Sequence, residues 1–105
     1  KGVENSSGNQ AILSAGTGLG EAGRVFDGTK HIAFASEGGH CDFLVRNEDE
    51  LGLFHYLKQK FNDHVSIERA LSGPGLESIY HYILEIKKIK GALLIGILFI
   101  VSLYD

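Results

Sequence analysis

The sequence predicts an α/β fold, with short strands in its first half and helices in its second half. Apolar runs bounded by glycine-rich turns come first, and apolar residues at helical spacing follow them. The length of 105 residues, of which 44% are hydrophobic, allows one globular core. We therefore expect a few strands followed by helices around that core.

The strands are predicted from three apolar runs. Residues 11–15 have the composition of a buried strand that enters a tight glycine turn. The runs at residues 24–26 and 31–35 flank an Asp-Gly pair, which favours the positive φ angles of hairpin loops, so a β-hairpin is predicted. Residues 41–45 have a mixed pattern that fits either a short strand or an extended segment.

The first helix is predicted from a capping pattern. Asn47 followed three positions later by Glu50 resembles a capping box, and apolar residues then recur at helical spacing. These apolar residues are Leu51, Phe54, Leu57 and Phe61. Ser66 is predicted to cap a shorter helical turn that continues to Leu71.

Residues 72–75, with the sequence Ser-Gly-Pro-Gly, are predicted to interrupt that turn. Proline lacks the backbone N–H group and restricts the residue before it. A second helix is then expected from about Leu76, with one apolar face. That face consists of Leu76, Ile79, Tyr80, Ile83 and Ile86.

Charge and cysteine content exclude several functions. The chain has 10 basic and 13 acidic residues, a net charge of −3 and no long run of either sign, so nucleic acid is not an expected partner. The single Cys41 excludes an internal disulfide and a multi-cysteine zinc site, which fits a reducing cytoplasm. The chain begins at Lys1 and contains no methionine, which indicates a fragment, and its polar start does not indicate secretion.

Residues 92–104 contain no charged residue and follow three lysines at residues 87–90, which invites a membrane interpretation. Residues 91–104 would span only ~21 Å as a helix, whereas a bilayer core needs about 20 apolar residues. A buried strand or core helix is therefore favoured, and a membrane-associated tail or an aggregation-prone end is the alternative. We expect one domain at residues 1–86 and an apolar tail at residues 87–105.

A glycine-rich turn is the first candidate for chemistry. It consists of Gly16, Thr17, Gly18, Leu19 and Gly20. No Gly-Lys-Ser/Thr follows as in a Walker A loop, and the G-x-G-x-x-G match at residues 18–23 leads into a hairpin arm rather than a helix. Clustered glycines can present several backbone N–H groups to a phosphate, and Thr17 adds a hydroxyl. A plain tight turn is the alternative.

Glu37 and His40 are the second candidate, because they lie three residues apart across a flexible diglycine. A carboxylate and an imidazole so placed can both hydrogen-bond one small polyol. An exposed polar turn is the alternative. Zinc binding by His40 and Cys41 is not expected, since no further cysteine completes a tetrahedral site. Nor is Cys41 expected to act as a nucleophile with His40, because neighbours in an extended segment point to opposite faces.

Glu68 lies beside Arg69, and pattern alone favours an exposed charge or an intrahelical ion pair there. The other histidines show no ligand spacing, so no metal site is predicted. They are His31, His55, His64 and His81.

Four sequence blocks, in this order and at this spacing, resemble the bacterial glucokinase family. They are Ala-Gly-Thr-Gly-Leu-Gly at 15–20, Glu-Gly-Gly-His with Asp-Phe at 37–43, Val-Ser and Glu-Arg at 65–69, and Leu-Ser-Gly-Pro-Gly-Leu at 71–76. The resemblance covers about residues 11–82. It implies part of an actin-like, ribonuclease H-like ATPase fold, in which two α/β domains close over a cleft.

The resemblance also implies an activity, which is transfer of the ATP γ-phosphoryl group to the 6-hydroxyl of glucose with Mg²⁺. On this basis Glu37, His40 and Glu68 match family residues that hydrogen-bond glucose. The turn at residues 16–20 matches a loop near the ATP β- and γ-phosphates, where backbone donors help phosphoryl transfer. Asp42 and residues 72–75 match structural supports.

The departures from the family pattern limit what this chain is expected to do. The N-terminal phosphate loop, the Asn-Asp pair that supplies the general base and the adenosine-binding glycine motif are absent, and residues 87–105 do not resemble the family's continuation. No catalytic residue is assigned, and the lone Cys41 matches zinc-free members.

We therefore expect a glucokinase segment that is inactive alone, with glucose and ATP as partners of the whole enzyme. The alternative is a non-catalytic sugar-binding or regulatory remnant, held at a membrane by residues 91–104. Homo-oligomer formation and preference among hexoses are left open.

Overall fold

The chain folds as a three-stranded antiparallel sheet followed by two helices, in a computed structural model that describes residues 5–88. The strands are β1 (Gln10–Ala15), β2 (Leu19–Phe26) and β3 (His31–Ser36). The helices are α1 (Glu48–Phe61) and α2 (Gly73–Glu85). There are also two 3-10 helices of three residues each, which we call the first short helix (Gly38–His40) and the second short helix (Ile67–Arg69). The predicted α/β class is confirmed. Apart from residues 87 and 88, the predicted apolar tail lies outside the described residues.

The three strands form a meander in the order β1-β2-β3. Residues 16–18 join β1 to β2, and residues 27–30 close the predicted hairpin between β2 and β3. The Asp27 carboxylate stabilises that loop by accepting hydrogen bonds from the Thr29 and Lys30 amides at 2.8 and 2.9 Å. Gly28 takes a φ of 99°, which explains the Asp-Gly signal. Because a strand follows the glycine turn, the dinucleotide-binding pattern is excluded there.

The predicted burial of β1 is wrong. All six of its residues are exposed, and Ile12 and Leu13 retain 66% and 64% of their accessible surface. Residues 5–88 contain no layer that covers this strand, because the buried apolar residues belong mostly to the helical half. Further large apolar side chains on the sheet are exposed, namely Val25, Ile32 and Phe34.

The core lies between α1, α2 and the segments beside them. Its buried residues are Phe43, Leu53, Leu57, Val65, Ala70, Ile79, Tyr82 and Ile83. Helix α1 begins as predicted, since the Asn47 side-chain oxygen accepts a hydrogen bond from the Glu50 amide at 2.9 Å. The predicted apolar stripe is only partly buried: Leu57 is in the core, but Leu53 fills the other central position.

Glu50 differs from the capping box that the sequence predicts. Its carboxylate accepts hydrogen bonds from the Arg46 backbone amide at 2.7 Å and from the Arg46 guanidinium, also at 2.7 Å. The carboxylate is only 2% exposed. The hydrogen bonds and charge of Arg46 outweigh burial and lower the pKa of Glu50. Glu50 is therefore a buried anion held by Arg46 at the start of α1.

A break does precede α2, but the helix begins at Gly73 rather than near Leu76, so residues 73–75 belong to the helix and not to the predicted interruption. Pro74 lies in the first helical turn, where its missing N–H group has no acceptor in the helix. Ser72 caps the helix by accepting a hydrogen bond from the Gly75 amide at 3.0 Å.

The buried face of α2 agrees with the prediction at Ile79 and Ile83 and differs elsewhere. Tyr80 and Ile86 are exposed, at 36% and 58% of their accessible surface, whereas Tyr82 and Ser78 are buried. Among residues 5–88, no helix has the length and apolar character needed to cross a bilayer.

Residues 41–45 form an extended segment with a single β-bridge, from Asp42 to Ser66. The Phe43 amide donates to the Val65 carbonyl at 2.9 Å beside this bridge. Ser66 makes no side-chain capping hydrogen bond, so its predicted capping role is wrong, although a helical turn does follow it. This pairing places the second short helix beside the first.

Candidate functional site

The glycine-rich turn lies against the start of α2. Within the turn, the Gly16 amide donates to the Gly18 carbonyl at 2.8 Å. The Gly16 carbonyl accepts a hydrogen bond from the Gly73 amide at 2.7 Å. The turn is therefore fixed to the helical half of the molecule by its backbone.

Glu68 holds the other side of this turn. Its carboxylate Oε2 accepts a hydrogen bond from the Leu19 amide at 2.8 Å. A Cβ atom on Gly18 would lie 2.6 Å from the same oxygen, so the glycine is required for this approach. Neither Gly16 nor Gly18 has a positive φ. At Gly18, the residue type reflects space for the Glu68 carboxylate rather than an unusual backbone conformation.

Two donors of the turn remain available to a ligand. The Gly16 amide is used inside the turn, and the Leu19 amide is used by Glu68. The amides of Thr17 and Gly18 have no hydrogen-bond partner within residues 5–88. These two N–H groups, with the Thr17 hydroxyl, form a small donor set of the kind that suits a phosphate oxygen.

The first short helix carries Glu37 and His40 on a tight turn. The His40 amide donates to the Glu37 carbonyl at 3.0 Å, which holds the residues one turn apart. Their side chains face each other, with 3.6 Å between His40 Nε2 and Glu37 Oε2. Both are open to solvent, with 63% and 89% of the side chain exposed for His40 and Glu37. A carboxylate and an imidazole are therefore paired and accessible, as a polyol contact requires.

The two short helices meet at the backbone of Leu19. Glu68 binds its N–H group, and the buried Gly39 packs so closely on its carbonyl oxygen that a Cβ atom there would overlap it. A hydrogen bond of 2.9 Å from the Ile67 amide to the Cys41 carbonyl joins the two short helices directly. The structure thus brings the turns that carry Glu37, His40 and Glu68 to one place, beside the glycine-rich turn.

Asp42 supports this junction from outside. It forms the β-bridge to Ser66, and its carboxylate contacts His64 Nε2 at 2.6 Å. Both its backbone and its side chain therefore join the segments that lead into the two short helices. This arrangement agrees with the structural role that the sequence resemblance implies for Asp42.

The intrahelical ion pair considered for Glu68 and Arg69 is not formed. Glu68 binds the Leu19 amide instead, and the Arg69 guanidinium lies over the Phe61 ring at 4.1 Å from its centroid. A shallow pocket nearby is lined in part by Thr17, Glu68 and Arg69. This pocket adjoins both the glycine-rich turn and the second short helix.

Within residues 5–88, no group of three or more histidine, cysteine or acidic side chains is placed to hold a metal ion. Cys41 is a free, exposed thiol.

Glu21 was missed by the sequence analysis. Its half-buried carboxylate packs against Gly38 in the first short helix, from the neighbouring strand β2. The contact depends on the strand register that pairs Glu21 with Ser36. No local sequence signal marks it, because a single acidic residue in a strand is normally solvent-exposed.

Comparisons with known proteins identify the family of this chain. The Glucokinase family profile matches residues 1–95. A glucokinase from Nostoc sp. (strain PCC 7120) is 45% identical over 78 residues, which cover 73% of this chain and 23% of that protein. A glucokinase from Yersinia pestis (strain Pestoides F) is 47% identical over 73 residues, which cover 70% of this chain and 22% of that protein.

Solved structures give the same result. Glucokinase from an Antarctic psychrotroph matches with a TM-score of 0.74 and 29% identity, over 85% of this chain and 27% of that one. Glucokinase from Balamuthia mandrillaris in complex with glucose has the same TM-score at 22% identity, over 85% of this chain and 26% of that one, which supports the fold.

The chain therefore forms part of an α/β sugar kinase fold, as the resemblance predicts. The chain belongs to the glucokinase family. It spans about a quarter of the length of the relatives it matches.

Proposed function

We propose that this chain forms one wall of the glucose site and one phosphate-facing turn of an ATP-dependent glucokinase. The reaction is transfer of a phosphoryl group from ATP to glucose, which gives glucose 6-phosphate. The hydrogen bond from the Leu19 amide to Glu68 carries this proposal, because it joins the turn that presents amides to the short helix that presents a sugar-binding carboxylate.

The sugar is bound by two carboxylates and one imidazole. Glu37 and His40 are exposed and 3.6 Å apart, so neighbouring hydroxyl groups of one hexose can reach both. Glu68 uses Oε2 for the Leu19 amide, which leaves Oε1 to accept a hydrogen bond from a further hydroxyl. Such acceptors suit a neutral polyol, and hydrogen bonds to a charged acceptor contribute about 1.5–3 kcal/mol each.

The phosphate end of the site is formed by backbone donors. The free amides of Thr17 and Gly18 are the donors proposed to meet terminal phosphate oxygens of ATP. Residues 5–88 would not ligate Mg²⁺ directly, because they offer no cluster of carboxylates for the ion. The ion would therefore be held through the phosphates, where it neutralises their charge.

Proton removal from the sugar hydroxyl is not assigned to this chain. The family's catalytic aspartate has no counterpart in the sequence, and Glu37 and Glu68 are assigned to sugar binding. The chain alone should therefore bind and orient its ligands without catalysing phosphoryl transfer. The whole enzyme is proposed to act in the cytoplasm. The alternative of a sugar-binding remnant stays a prediction.

Calorimetric titration of the 105-residue chain with glucose tests this proposal. We expect weak, saturable binding in the millimolar range and no glucose-dependent ATP turnover in a coupled assay. Exchange of His40 for alanine should weaken binding by about tenfold, the equivalent of one hydrogen bond of about 1.4 kcal/mol. No detectable binding at high millimolar glucose would contradict the sugar site.

A matched control separates sugar contact from loss of an exposed histidine. His55 lies on the exposed surface of α1, outside the site, so His55→Ala should leave the affinity for glucose unchanged. Equal weakening by His40→Ala and His55→Ala would argue against a specific contact.

A further inference from the structure

The first short helix is held by a contact from strand β2 that the sugar site itself does not explain. Gly38 lies against the Glu21 carboxylate, and a Cβ atom at Gly38 would overlap Glu21 Oε2. Glu21 is directly opposite Ser36 in the β2–β3 pairing. Ser36 is the last residue of β3, and Glu37 follows it.

A chain of hydrogen bonds links these groups. The Gly38 amide donates to the Ser36 hydroxyl oxygen at 3.0 Å. The Ser36 hydroxyl in turn donates to Glu21 Oε2 at 3.4 Å. A hydroxyl has one proton, so donation to Glu21 directs an oxygen lone pair towards the Gly38 amide. The carboxylate thereby orients the serine that holds the first short helix.

We propose that Glu21 is a positioning residue that fixes the first short helix, from which Glu37 and His40 reach the sugar. The expected effect on glucose binding rests on the proposed function. The contact among Glu21, Ser36 and Gly38 does not, because it involves neither the Glu37 nor the His40 side chain. Glu21 acts through Ser36 and Gly38 and touches no reacting atom.

The contact at Gly38 differs in kind from the contact at Gly39. A Cβ atom at Gly38 would meet the end of a flexible side chain, which can move, whereas one at Gly39 would meet the Leu19 backbone. Gly38→Ala should therefore displace the Glu21 carboxylate without breaking the backbone. It provides a second way to remove the same contact.

Amide hydrogen exchange in the 105-residue chain tests the positioning role without any sugar. Ser36→Ala should raise the exchange rate of the Gly38 amide by about fivefold, as expected for one hydrogen bond of about 1 kcal/mol. Glu21→Ala and Gly38→Ala should raise the exchange rate of the amide at residue 38 by less than Ser36→Ala does. Glu21→Gln retains an acceptor oxygen, so most of the protection of this amide from exchange should remain. Ser14→Ala removes a hydroxyl from the neighbouring strand β1 and should leave the rate unchanged.

Glucose titration of the same variants tests the consequence. Glu21→Ala should raise the Kd for glucose several-fold, Glu21→Gln should fall between it and the unsubstituted chain, and Ser14→Ala should have no effect. Because both act on one contact, Glu21→Ala combined with Gly38→Ala should weaken binding no more than either change alone.

The outcomes separate this inference from the proposed function. If the unsubstituted chain binds no glucose, the proposed function is overturned, and the exchange rates alone decide whether Glu21 fixes the turn. Unchanged Gly38 exchange in Ser36→Ala and Glu21→Ala overturns the inference. So does an unchanged Kd in Glu21→Ala when the unsubstituted chain binds glucose.

Discussion

The Glu68 carboxylate accepts a hydrogen bond from the Leu19 amide at 2.8 Å, although the two residues are 49 positions apart in sequence. Leu19 lies in the glycine-rich turn and is the first residue of β2, and Glu68 belongs to the second short helix. This bond joins the sheet to the helical half at the place where the site is proposed. Through this bond Glu68, the proposed sugar ligand, also serves as a structural acceptor and couples the two parts of the proposed site.

Loss of the Glu68 carboxylate should therefore destabilise the chain. Glu68→Ala leaves the Leu19 amide without its acceptor, and we expect the free energy of unfolding to fall by about 1–3 kcal/mol. Glu68→Gln retains an acceptor oxygen and should cost less than about 1 kcal/mol. Urea denaturation measures both, with the exposed Glu77 on α2 replaced by alanine as the control. Equal stability of Glu68→Ala and Glu77→Ala would contradict a structural role for Glu68.

A side chain at Gly39 should disturb the junction of the two short helices. Gly39→Ala brings Cβ into the Leu19 carbonyl oxygen, so we expect a loss of about 1–3 kcal/mol, as for an overpacked site. A Cβ atom at Gly16 meets no atom within 4 Å, so Gly16→Ala should be close to neutral for stability. Thermal unfolding of the two variants, followed by circular dichroism, gives the comparison. If Gly16→Ala is destabilising and Gly39→Ala is neutral, the described packing of Gly39 against the Leu19 carbonyl oxygen is wrong.

The buried Glu50 should make the stability depend on pH. Arg46 lowers the pKa of Glu50 in the folded chain below its ordinary value, which is about 4.3 in the unfolded chain. The unfolded state then binds the proton more tightly. The contribution of Glu50 to stability is therefore complete above pH ~4.3 and is lost as the pH falls through the folded pKa.

Glu50→Gln tests this pH dependence. At pH 7 the variant should be less stable than the unsubstituted chain by about 1–3 kcal/mol, because the Arg46 guanidinium loses its anionic partner. Denaturant titrations at pH 7 and pH 3 should show a smaller difference at pH 3. A difference of equal size at both pH values would mean that Glu50 is not ionised in the folded chain at pH 7.

The helical half should behave as a packed core. Leu57 is fully buried, so Leu57→Ala should reduce the free energy of unfolding by about 2–5 kcal/mol through lost burial and the cavity left behind. Leu44 keeps 75% of its surface exposed, and Leu44→Ala should change stability by less than about 0.5 kcal/mol. Urea denaturation compares them. Similar small losses for both would indicate that α1 and α2 do not pack as described.

Local signals in the sequence were sufficient for several elements. The Asp-Gly pair predicted the β2–β3 hairpin because the preference of Gly28 for positive φ is a local property of the backbone. Asn47 predicted the start of α1 because an N-cap depends on atoms within one helical turn. The start of α2 was placed too late, since Pro74 fits the first turn of a helix as well as it fits a break.

The sequence alone determined the chain's family and its order of strands and helices, because these depend on residue types and short spacings. Only the tertiary structure decided that Glu68 binds the Leu19 amide, that Glu21 supports Gly38 and that β1 is exposed within residues 5–88. These relationships depend on strand register and on which surfaces of distant segments meet. No local pattern of residues encodes them.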